Sequence, residues 1–368
     1  MGRSLTGTVI ITGGNGLLGS EIAVAIAKTQ PFTHLLLTAR NPQGDDVRQL
    51  ISRIRLIGPR SIERTDGGAC SEEGIPPVAD LIHSAAIASY TIDELTLDGY
   101  DPVYQTNCVA PFFLTVGLLE AFRAGDGSPD GGAKVINIGC AASSYGRLDY
   151  FDHNQGRDTR PPGTVLSAKE GNVRFGSSKL LASVALYALR RSLASVSSAP
   201  IATCINNTNL PGPRPLRPAS RDPGHVFSFA DHFSPRDKTD NISLDIFTLD
   251  PGGMAGQSHL RTGAPLSVRV AHQTRSGLRP ILRMVSRSSI NKANVPAKAI
   301  AKVAFRRTVD PGERYFILDS EYEAASVLAT LRDGARMESL LVQMMHQVEA
   351  GCRAKGSPVS ISSTPTTC

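Results

Sequence analysis

The chain alternates short apolar runs with segments whose apolar residues recur every three or four positions. The first run, residues 8–12 (TVIIT), is of the β-branched type found in buried strands, and Leu18, Ile22 and Ile26 then share one helical face. The same alternation predicts further strands at 35–37, 78–82, 134–138, 242–249 and 314–318 and helices at 46–56, 111–122 and 177–193. Strands that alternate with helices predict an α/β fold, a doubly wound parallel sheet with helices on both faces.

Three segments lack this alternation. Between 57 and 77 only 61–66 could form a strand, and 205–241 is rich in proline and small polar residues, which predicts a surface insertion. Residues 351–368 are rich in Ser, Thr and Pro and are predicted to be a disordered tail. The organisation expected is therefore a single domain over 1–350, interrupted by the insertion and followed by the tail.

The positive charge of the chain is concentrated in one segment. The formal net charge is +6, yet residues 254–309 hold eleven basic residues and no acidic one. The rest of the chain has 28 basic and 33 acidic residues, a net charge of −5. The chain is thus a mildly acidic protein that carries one basic segment, and the location of the charge says more than its sum.

Other features of the sequence limit the classes of protein to which the chain could belong. No apolar run approaches the ~20 residues that would span a bilayer, and the first residues lack the apolar core of a secretory signal. The six cysteines have no paired spacings, which favours a reduced, cytoplasmic protein, and no metal site is predicted.

A glycine-rich turn lies between the first strand and the first helix. The residues are TGGNGLLG at 12–19, and this context predicts a dinucleotide-binding turn. Gly13 allows the tight turn, Gly16 lets the backbone approach a pyrophosphate, and Gly19 permits close packing of helix and strand. The free N–H groups of the helix N-terminus would face the phosphates. The predicted cofactor-binding residues of this turn are Gly13, Asn15, Gly16, Leu18 and Gly19.

The end of the second strand indicates the type of cofactor. An acidic residue there would bind ribose hydroxyls, whereas an arginine suits a 2′-phosphate. The chain has Arg40, with no acid before Asp45, which favours NADP(H) over NAD. Asp66 is expected near the adenine, and Ala85 and Ala86 beside the adenosine ribose.

At this point the chain resembles the short-chain dehydrogenase/reductase family, over about residues 8–348. The parts appear in the family's order: the TGGNGLLG turn, HSAA at 83–86, LTLDGYDPVYQTN ending at Asn107, VINIGC ending at Cys140, FGSSK at 175–179 and DPGG at 250–253. Each motif alone is weak, but six in order are specific. Several of them look like the retinol-dehydrogenase-like branch, which is widely used for lipids, steroids and fungal secondary metabolites.

The resemblance implies a Rossmann-like fold and hydride transfer between a nicotinamide and a carbonyl or alcohol carbon. It implies a catalytic tyrosine, a lysine one helical turn later, a serine that polarises the substrate oxygen and an asparagine that supports a proton relay. Lys179 and Asn107 match the lysine and the asparagine, and both also belong to the predicted cofactor-binding set. Phe175 and Cys140 occupy the tyrosine and serine positions, so two of the four catalytic groups are missing. Loss of a positioned acid or base typically costs roughly 10²–10⁴-fold in rate.

Neighbouring groups could replace the missing ones. The candidates are Ser143, Ser144, Tyr145, Tyr150 and His153. Cys140 could instead be a reactive thiol or a small buried residue.

The resemblance also implies roles for the segment after the sixth strand. Pro251 and Gly252 would lie against the nicotinamide amide, and the basic segment 254–295 would form a lid over the substrate, with its basic residues outward. Nucleic acid is disfavoured as a partner because Phe305 is the one aromatic residue between 254 and 309. The expected partners are a small apolar substrate and further copies of the chain, in a homo-oligomer of the family's type. With a membrane, at most a peripheral contact is expected.

Three functions remain open. The first is an NADP(H)-dependent oxidoreductase acting on an apolar small molecule, in secondary-metabolite biosynthesis, with a rearranged proton relay. The second is a redox-silent NADP-binding protein. The third is a non-redox biosynthetic catalyst, such as a cyclase or an isomerase. The intact cofactor half favours the first function, whereas Phe175 and Cys140 favour the other two.

Overall fold

The structure is a computed structural model, which describes residues 7–57, 62–63, 77–123, 133–151, 158, 160–198, 244–255, 264–285, 288, 290–306, 314–322 and 333–354. Eight described strands form one sheet. They are β1 (Thr8–Thr12), β2 (His34–Leu37), β3 (Ile62–Glu63), β4 (Val78–His83), β5 (Ala133–Ile138), β6 (Leu244–Asp250), β7 (Arg314–Ile317) and β8 (Ser320–Glu321).

Helices connect these strands. They are α1 (Leu17–Thr29), α2 (Asp45–Arg55), α3 (Pro102–Tyr104), α4 (Ala110–Gly117), α5 (Leu119–Arg123), α6 (Ala168–Ser198), α7 (Leu266–Gly277), α8 (Arg279–Val285), α9 (Asn294–Ala304) and α10 (Gly334–Ala354). A π-helical turn, Gln105–Val109, joins α3 to α4, and a 3₁₀ turn, Ala141–Tyr145, follows β5.

The strand order is β3-β2-β1-β4-β5-β6-β7-β8. Strands β1 to β7 are parallel, and only the short β8 pairs antiparallel, at the edge beside β7. Residue Ile10 of β1 lies between Leu36 and Leu81, so the sheet grows in one direction from β1 to β3 and in the other from β4 onwards. A ligand crevice forms at such a reversal, beyond the carboxyl ends of the strands. The predicted doubly wound α/β fold is confirmed.

Each face of the sheet has its own apolar core. On one face, buried side chains of α1, α2 and α9 pack on the strands, and on the other face those of α4, α5, α6 and α10 do so. The near-continuous apolar strands are explained by this arrangement, because a parallel sheet covered on both sides buries both sets of alternating side chains.

The helix predicted at 111–122 is interrupted. Its place is taken by α4 and α5 with a break at Leu118, and the π-helical turn precedes it. The helix predicted at 177–193 begins much earlier, because Ser167 and Glu170 form a capping box: the Ser167 N–H donates to Glu170 Oε2 at 2.9 Å and the Glu170 N–H donates to Ser167 Oγ at 3.3 Å. The tail boundary at 351 was also wrong, since α10 continues to Ala354.

Some predicted features lie outside the described residues. These are the insertion 205–241, Asp66, His153 and the segment 355–368. The single-domain organisation stays a prediction. None of the described helices combines the length and the apolarity that crossing a membrane requires.

A row of buried charges crosses the sheet near the amino ends of its strands. Asp80, Lys134 and Asp245 are register partners on β4, β5 and β6, and all three are buried. The Lys134 ammonium donates to the Ala304 carbonyl at 2.9 Å. Burial raises the pKa of the Asp80 carboxyl to about 7, although the Lys134 charge acts in the opposite direction.

The row makes the stability of the fold depend on pH. A carboxyl whose pKa is higher in the folded state than in the unfolded state stabilises the fold below the unfolded pKa, and this contribution is lost as the pH rises through about 7. Relative to Asp80→Asn, which cannot ionise, wild type should therefore lose about 2–3 kcal/mol of unfolding free energy between pH 5 and pH 8. Urea unfolding of both proteins across this range measures the difference. The exposed Asp149→Asn variant is the control, and parallel pH curves for wild type and Asp80→Asn would contradict the prediction.

Candidate active site

The residues predicted to bind a cofactor or to react meet at one edge of the sheet. The glycine turn follows β1, Ala85 and Ala86 follow β4, Cys140 follows β5, and Pro251 follows β6. All of these strands are parallel, so their carboxyl ends lie together at the crevice where the strand order reverses.

The space around each glycine of the turn is different. Gly13 has a φ of 65°, and a Cβ added there would lie 2.9 Å from Ala85 Cα. A Cβ at Gly19 would lie 2.2 Å from the Gly13 carbonyl oxygen, so α1 could not pack this closely against the turn with any larger residue. A Cβ at Gly16 would meet only that carbonyl oxygen, at 3.1 Å, and Gly16 is exposed. The turn is therefore closed on its inner side and open beside Gly16.

The open side exposes the start of α1. Gly16 is the N-cap and supplies no side-chain acceptor, so the first N–H groups of the helix have no cap within the turn. The turn is fixed from behind, because the Gly13 N–H donates to Thr38 Oγ1 at 3.2 Å and the Gly14 N–H donates to the Thr38 carbonyl at 2.8 Å. Leu18 is buried, which leaves only its backbone N–H available to a ligand. Such a turn suits a phosphate group.

The region beside the turn holds charges of both signs. Arg40 is exposed, and no described residue pairs with its guanidinium. Asn15 Nδ2 donates to Asp46 Oδ2 at 2.7 Å, and this bond holds the pKa of the Asp46 carboxyl below its usual value. Asn15 was predicted to bind the cofactor, whereas Asp46, which reaches the turn from the first residues of α2, was not predicted. The only available signal was the acidic pair Asp45–Asp46 at a helix start.

Lys179 is buried on the α6 face that covers β5. Its ammonium donates to the Ile138 carbonyl at 2.9 Å, at the carboxyl end of that strand. Burial lowers the pKa of Lys179 to about 8, while the nearby thiols of Cys140 and Cys108 act in the opposite direction. Lys179 can therefore hold or release a proton near neutral pH.

Asn107 sits in the π-helical turn and ties the loop after β4 to α6. Its Oδ1 accepts from the Ile87 N–H at 2.9 Å, and its Nδ2 donates to the Ile87 carbonyl at 2.8 Å and to Ser178 Oγ at 2.9 Å. Ser178 Oγ in turn donates to the Phe175 carbonyl at 2.8 Å. The side-chain amide is thus committed to these contacts, so Asn107 positions the chain between Phe175 and Lys179.

Cys140 is the first residue after β5. Its Sγ accepts from the Ala142 N–H at 3.4 Å. Burial raises the pKa of its thiol to about 11, and Asp250 acts in the same direction. Cys140 therefore stays a neutral thiol at pH 7, which disfavours the reactive-thiolate hypothesis and leaves a weak hydrogen-bond donor at the serine position.

The turn after β6 is held in a conformation that requires glycine. Gly252 has a φ of 69°, its N–H donates to Asp250 Oδ1 at 2.7 Å, and a Cβ there would lie 2.5 Å from the Ser288 carbonyl oxygen. The Gly253 N–H also donates to that carbonyl, at 2.9 Å, and buried Pro251 precedes the turn. The segment that leads from the lid region is therefore fixed at the same edge as the glycine turn.

No family model matches the chain. The chain is 34% identical over 80 residues to the spectinabilin polyketide synthase system protein NorB of Streptomyces orinoci, a match that covers 22% of this chain and 4% of NorB. It is 27% identical over 184 residues to a short-chain dehydrogenase/reductase of Armillaria gallica, which covers 46% of this chain and 59% of that protein. Over the matched residues the chain is similar to a short-chain dehydrogenase/reductase, and it spans less than two thirds of the length of either curated relative. The crystal structure of a 3-oxoacyl-[acyl-carrier protein] reductase from Brucella melitensis is similar over 86% of this chain and 97% of that chain, with 16% identity and a TM-score of 0.45.

The catalytic half of the site departs at Phe175 from the pattern that the family resemblance implies. Phe175 lies four residues before Lys179 and hence on the same face of α6, but it has no hydroxyl. Of the predicted substitutes, Tyr145 is 68% exposed. Tyr150 accepts a hydrogen bond from Arg160, and burial raises its pKa well above the usual value.

Three serine and tyrosine hydroxyls complete the neighbourhood of Phe175. Ser144 Oγ donates to the Ala141 carbonyl at 2.7 Å, whereas Ser143 Oγ is buried without a partner among the described residues. Tyr90, which was not predicted, donates a hydrogen bond to Asn172 Oδ1 at 3.2 Å. Asn172 lies on α6, three residues before Phe175. Tyr90 lies in an irregular segment after β4, so no periodic pattern pointed to it. Ser143, Ser144 and Tyr90 all lie outside the helical turn 175–179.

Proposed function

We propose that the protein is an NADP(H)-dependent oxidoreductase that acts on the carbonyl or alcohol group of an apolar small molecule. One observation carries the proposal: a glycine turn that is open beside Gly16 lies at the same sheet edge as a buried lysine with a pKa of about 8. Phosphate recognition and proton management are the two tasks that a nicotinamide-dependent oxidoreductase needs from its protein.

The residues present fit a bound NADP(H). The Gly13–Gly19 turn offers backbone N–H groups where any Cβ at Gly13 or Gly19 would collide with backbone, and Arg40 offers a free guanidinium beside it. Lys179 would hold the nicotinamide ribose, and Pro251 and Gly252 would border the nicotinamide. When bound, the cofactor supplies or accepts a hydride. The protein's part is to fix Lys179 through Ile138 and to hold the α6 turn through Asn107.

The substrate class is supported by one relative and by shared motifs. NorB is named as a protein of a polyketide synthase system, which favours a role in secondary metabolism. The motifs shared with the retinol-dehydrogenase-like branch point to the same class.

The second candidate function is a redox-silent or non-redox member of the family. It is favoured by the absence of a hydroxyl at Phe175 together with a Cys140 thiol whose pKa is raised to about 11. Both proteins are assayed for NADPH oxidation with a broad panel of ketones. The second function is established if wild type binds NADPH but oxidises none of it with any ketone, whereas Phe175→Tyr does oxidise it.

Removal of the Arg40 guanidinium tests the cofactor. Arg40→Ala should weaken NADPH binding by about 10- to 100-fold and leave NADH binding unchanged, because a charge-assisted bond to the 2′-phosphate contributes roughly 1.5–3 kcal/mol. Fluorescence titration of both nucleotides measures this. Arg48→Ala is the matched control, since Arg48 is also an exposed arginine but pairs with Asp45 at 2.5 Å. Equal losses for NADPH and NADH would refute the assignment of Arg40, and no binding of either nucleotide by wild type would refute the proposed function.

A further inference from the structure

Helices α7 and α8 carry an exposed apolar strip. Its members are Leu266 (73% exposed), Val270 (50%), Leu278 (46%), Ile281 (61%) and Met284 (88%). No described side chain of α7 is buried. The inner side of α7 is anchored at His272, whose Nε2 lies 3.1 Å from the Met254 carbonyl oxygen. Leu266 and Val270 share the opposite side of the helix, since they are four residues apart and Val270 lies about 200° from His272 around the axis.

Basic residues of the predicted lid face outward, as expected, since Arg269 and Arg275 are exposed. The structure turns the large apolar side chains outward as well. An exposed surface that combines large apolar side chains with arginines has the composition of helices that lie at a membrane interface.

The charge around the strip is of one sign. The sequence has eleven basic residues and no acidic one between 254 and 309, so this segment supplies no carboxylate of its own to Arg269 or Arg275. The chain's own segment 201–243 is not complementary, since it has five basic against four acidic residues. The stretch offers a nucleic acid only Phe305 for base stacking. An anionic partner with an apolar interior matches both properties of the strip.

We propose that the α7–α8 surface binds peripherally to an anionic lipid bilayer. The apolar strip would enter the boundary between headgroups and acyl chains, and the long arginine side chains would reach lipid phosphates and carboxylates. The proposal concerns this surface alone and does not depend on the proposed catalytic function.

The test is co-flotation of the full chain with vesicles of phosphatidylcholine alone or with 30 mol% phosphatidylserine, taken here as roughly the anionic content that gives a charged cytoplasmic leaflet. We expect at least about 10-fold stronger binding to the anionic vesicles at 0.1 M salt, and a marked loss at 0.5 M salt because arginine–lipid attraction is screened. Leu266→Ser/Ile281→Ser/Met284→Ser should weaken binding about 10-fold or more, since it removes the apolar anchors. Arg269→Glu/Arg275→Glu should abolish the preference for phosphatidylserine.

Two control variants lie elsewhere on the surface. Leu97→Ser removes an exposed apolar side chain and Arg336→Glu reverses an exposed charge, and both should bind vesicles as wild type does. Circular dichroism confirms that each variant is folded. The proposal is overturned by absent binding to anionic vesicles, by equal binding to both vesicle types, or by wild-type binding of the triple apolar variant. Wild type could instead form a concentration-dependent dimer and bind no vesicles. If the triple apolar variant abolished that dimer, the strip would be assigned to a contact with a second copy of the chain.

Discussion

Phe175→Tyr should raise the rate of NADPH-dependent ketone reduction by about 10²–10⁴-fold, the contribution typical of a positioned acid or base. Position 175 lies one helical turn before Lys179, on the face of α6 that covers β5. Its backbone is already fixed, because Ser178 Oγ donates to the Phe175 carbonyl and Asn107 holds Ser178. A phenol placed there would lie one helical turn from Lys179, whose positive charge would lower the phenol's pKa from about 10. NADPH absorbance on a panel of apolar ketones measures the gain.

The added hydroxyl can be separated from a change in packing. Phe175→Leu keeps the position apolar and should leave the wild-type rate unchanged, and Phe175→Tyr/Lys179→Met should lose most of the gain. Adding Cys140→Ser should raise the rate of Phe175→Tyr further, since a serine hydroxyl donates a stronger hydrogen bond than a neutral thiol. If wild type already reduces ketones at the rate of Phe175→Tyr, another group supplies the proton. Tyr90, which bonds to Asn172 on the same helix, would then be the first residue to replace.

The strands and the glycine turn could be predicted because local sequence determines them. A β-branched run followed by TGGNGLLG has few alternatives, and the close contacts that a Cβ at Gly13 or Gly19 would make show why glycine stands there. Lys179 and Asn107 were matched through the order of the family's motifs, and the structure joins both to α6: Lys179 lies on that helix and Asn107 bonds to its Ser178.

Features that depend on contacts between distant segments could not be predicted. The π-helical turn at Asn107 arises where three segments meet, and nothing in LTLDGYDPVYQTN distinguishes it from an ordinary helix start. The early start of α6 was missed because the capping box at Ser167 and Glu170 is a two-residue signal within a polar loop. The outward apolar side chains of α7 and α8 were not predicted, because an amphipathic pattern shows which residues share a face but not which face meets the protein.

Arg174→Met should lower the unfolding free energy by about 3–5 kcal/mol, the usual cost of leaving a buried charge without its partner. The Arg174 side chain is fully buried, and its Nη2 donates to Asp101 Oδ2 at 2.6 Å. Its Nη1 donates to the carbonyl oxygens of Thr91 at 2.8 Å and Ser89 at 3.3 Å. Asp101 Oδ1 accepts from the Val103 N–H at 2.8 Å, so one ion pair connects α6, the loop after β4 and the start of α3. Thermal unfolding should show a fall in Tm of roughly 6–12 °C.

A double variant shows whether the unpaired carboxylate causes the loss. Asp101→Asn keeps the helix cap but carries no charge, so Arg174→Met/Asp101→Asn should be more stable than Arg174→Met alone. Arg147→Met is the matched surface control: its pair with Asp149 is more than 60% exposed on both sides and should contribute little to stability. Single losses that simply add would instead mean that Arg174 acts through its two carbonyl contacts and through Asp93, whose Oδ2 lies 3.6 Å from Arg174 Nη2. Those contacts hold the loop that carries Ile87 and Tyr90 against α6. Because Ile87 bonds to the Asn107 side chain, Arg174→Met should also weaken the contacts that hold Asn107 in place. The ion pair therefore stabilises the geometry of the candidate site as well as the fold.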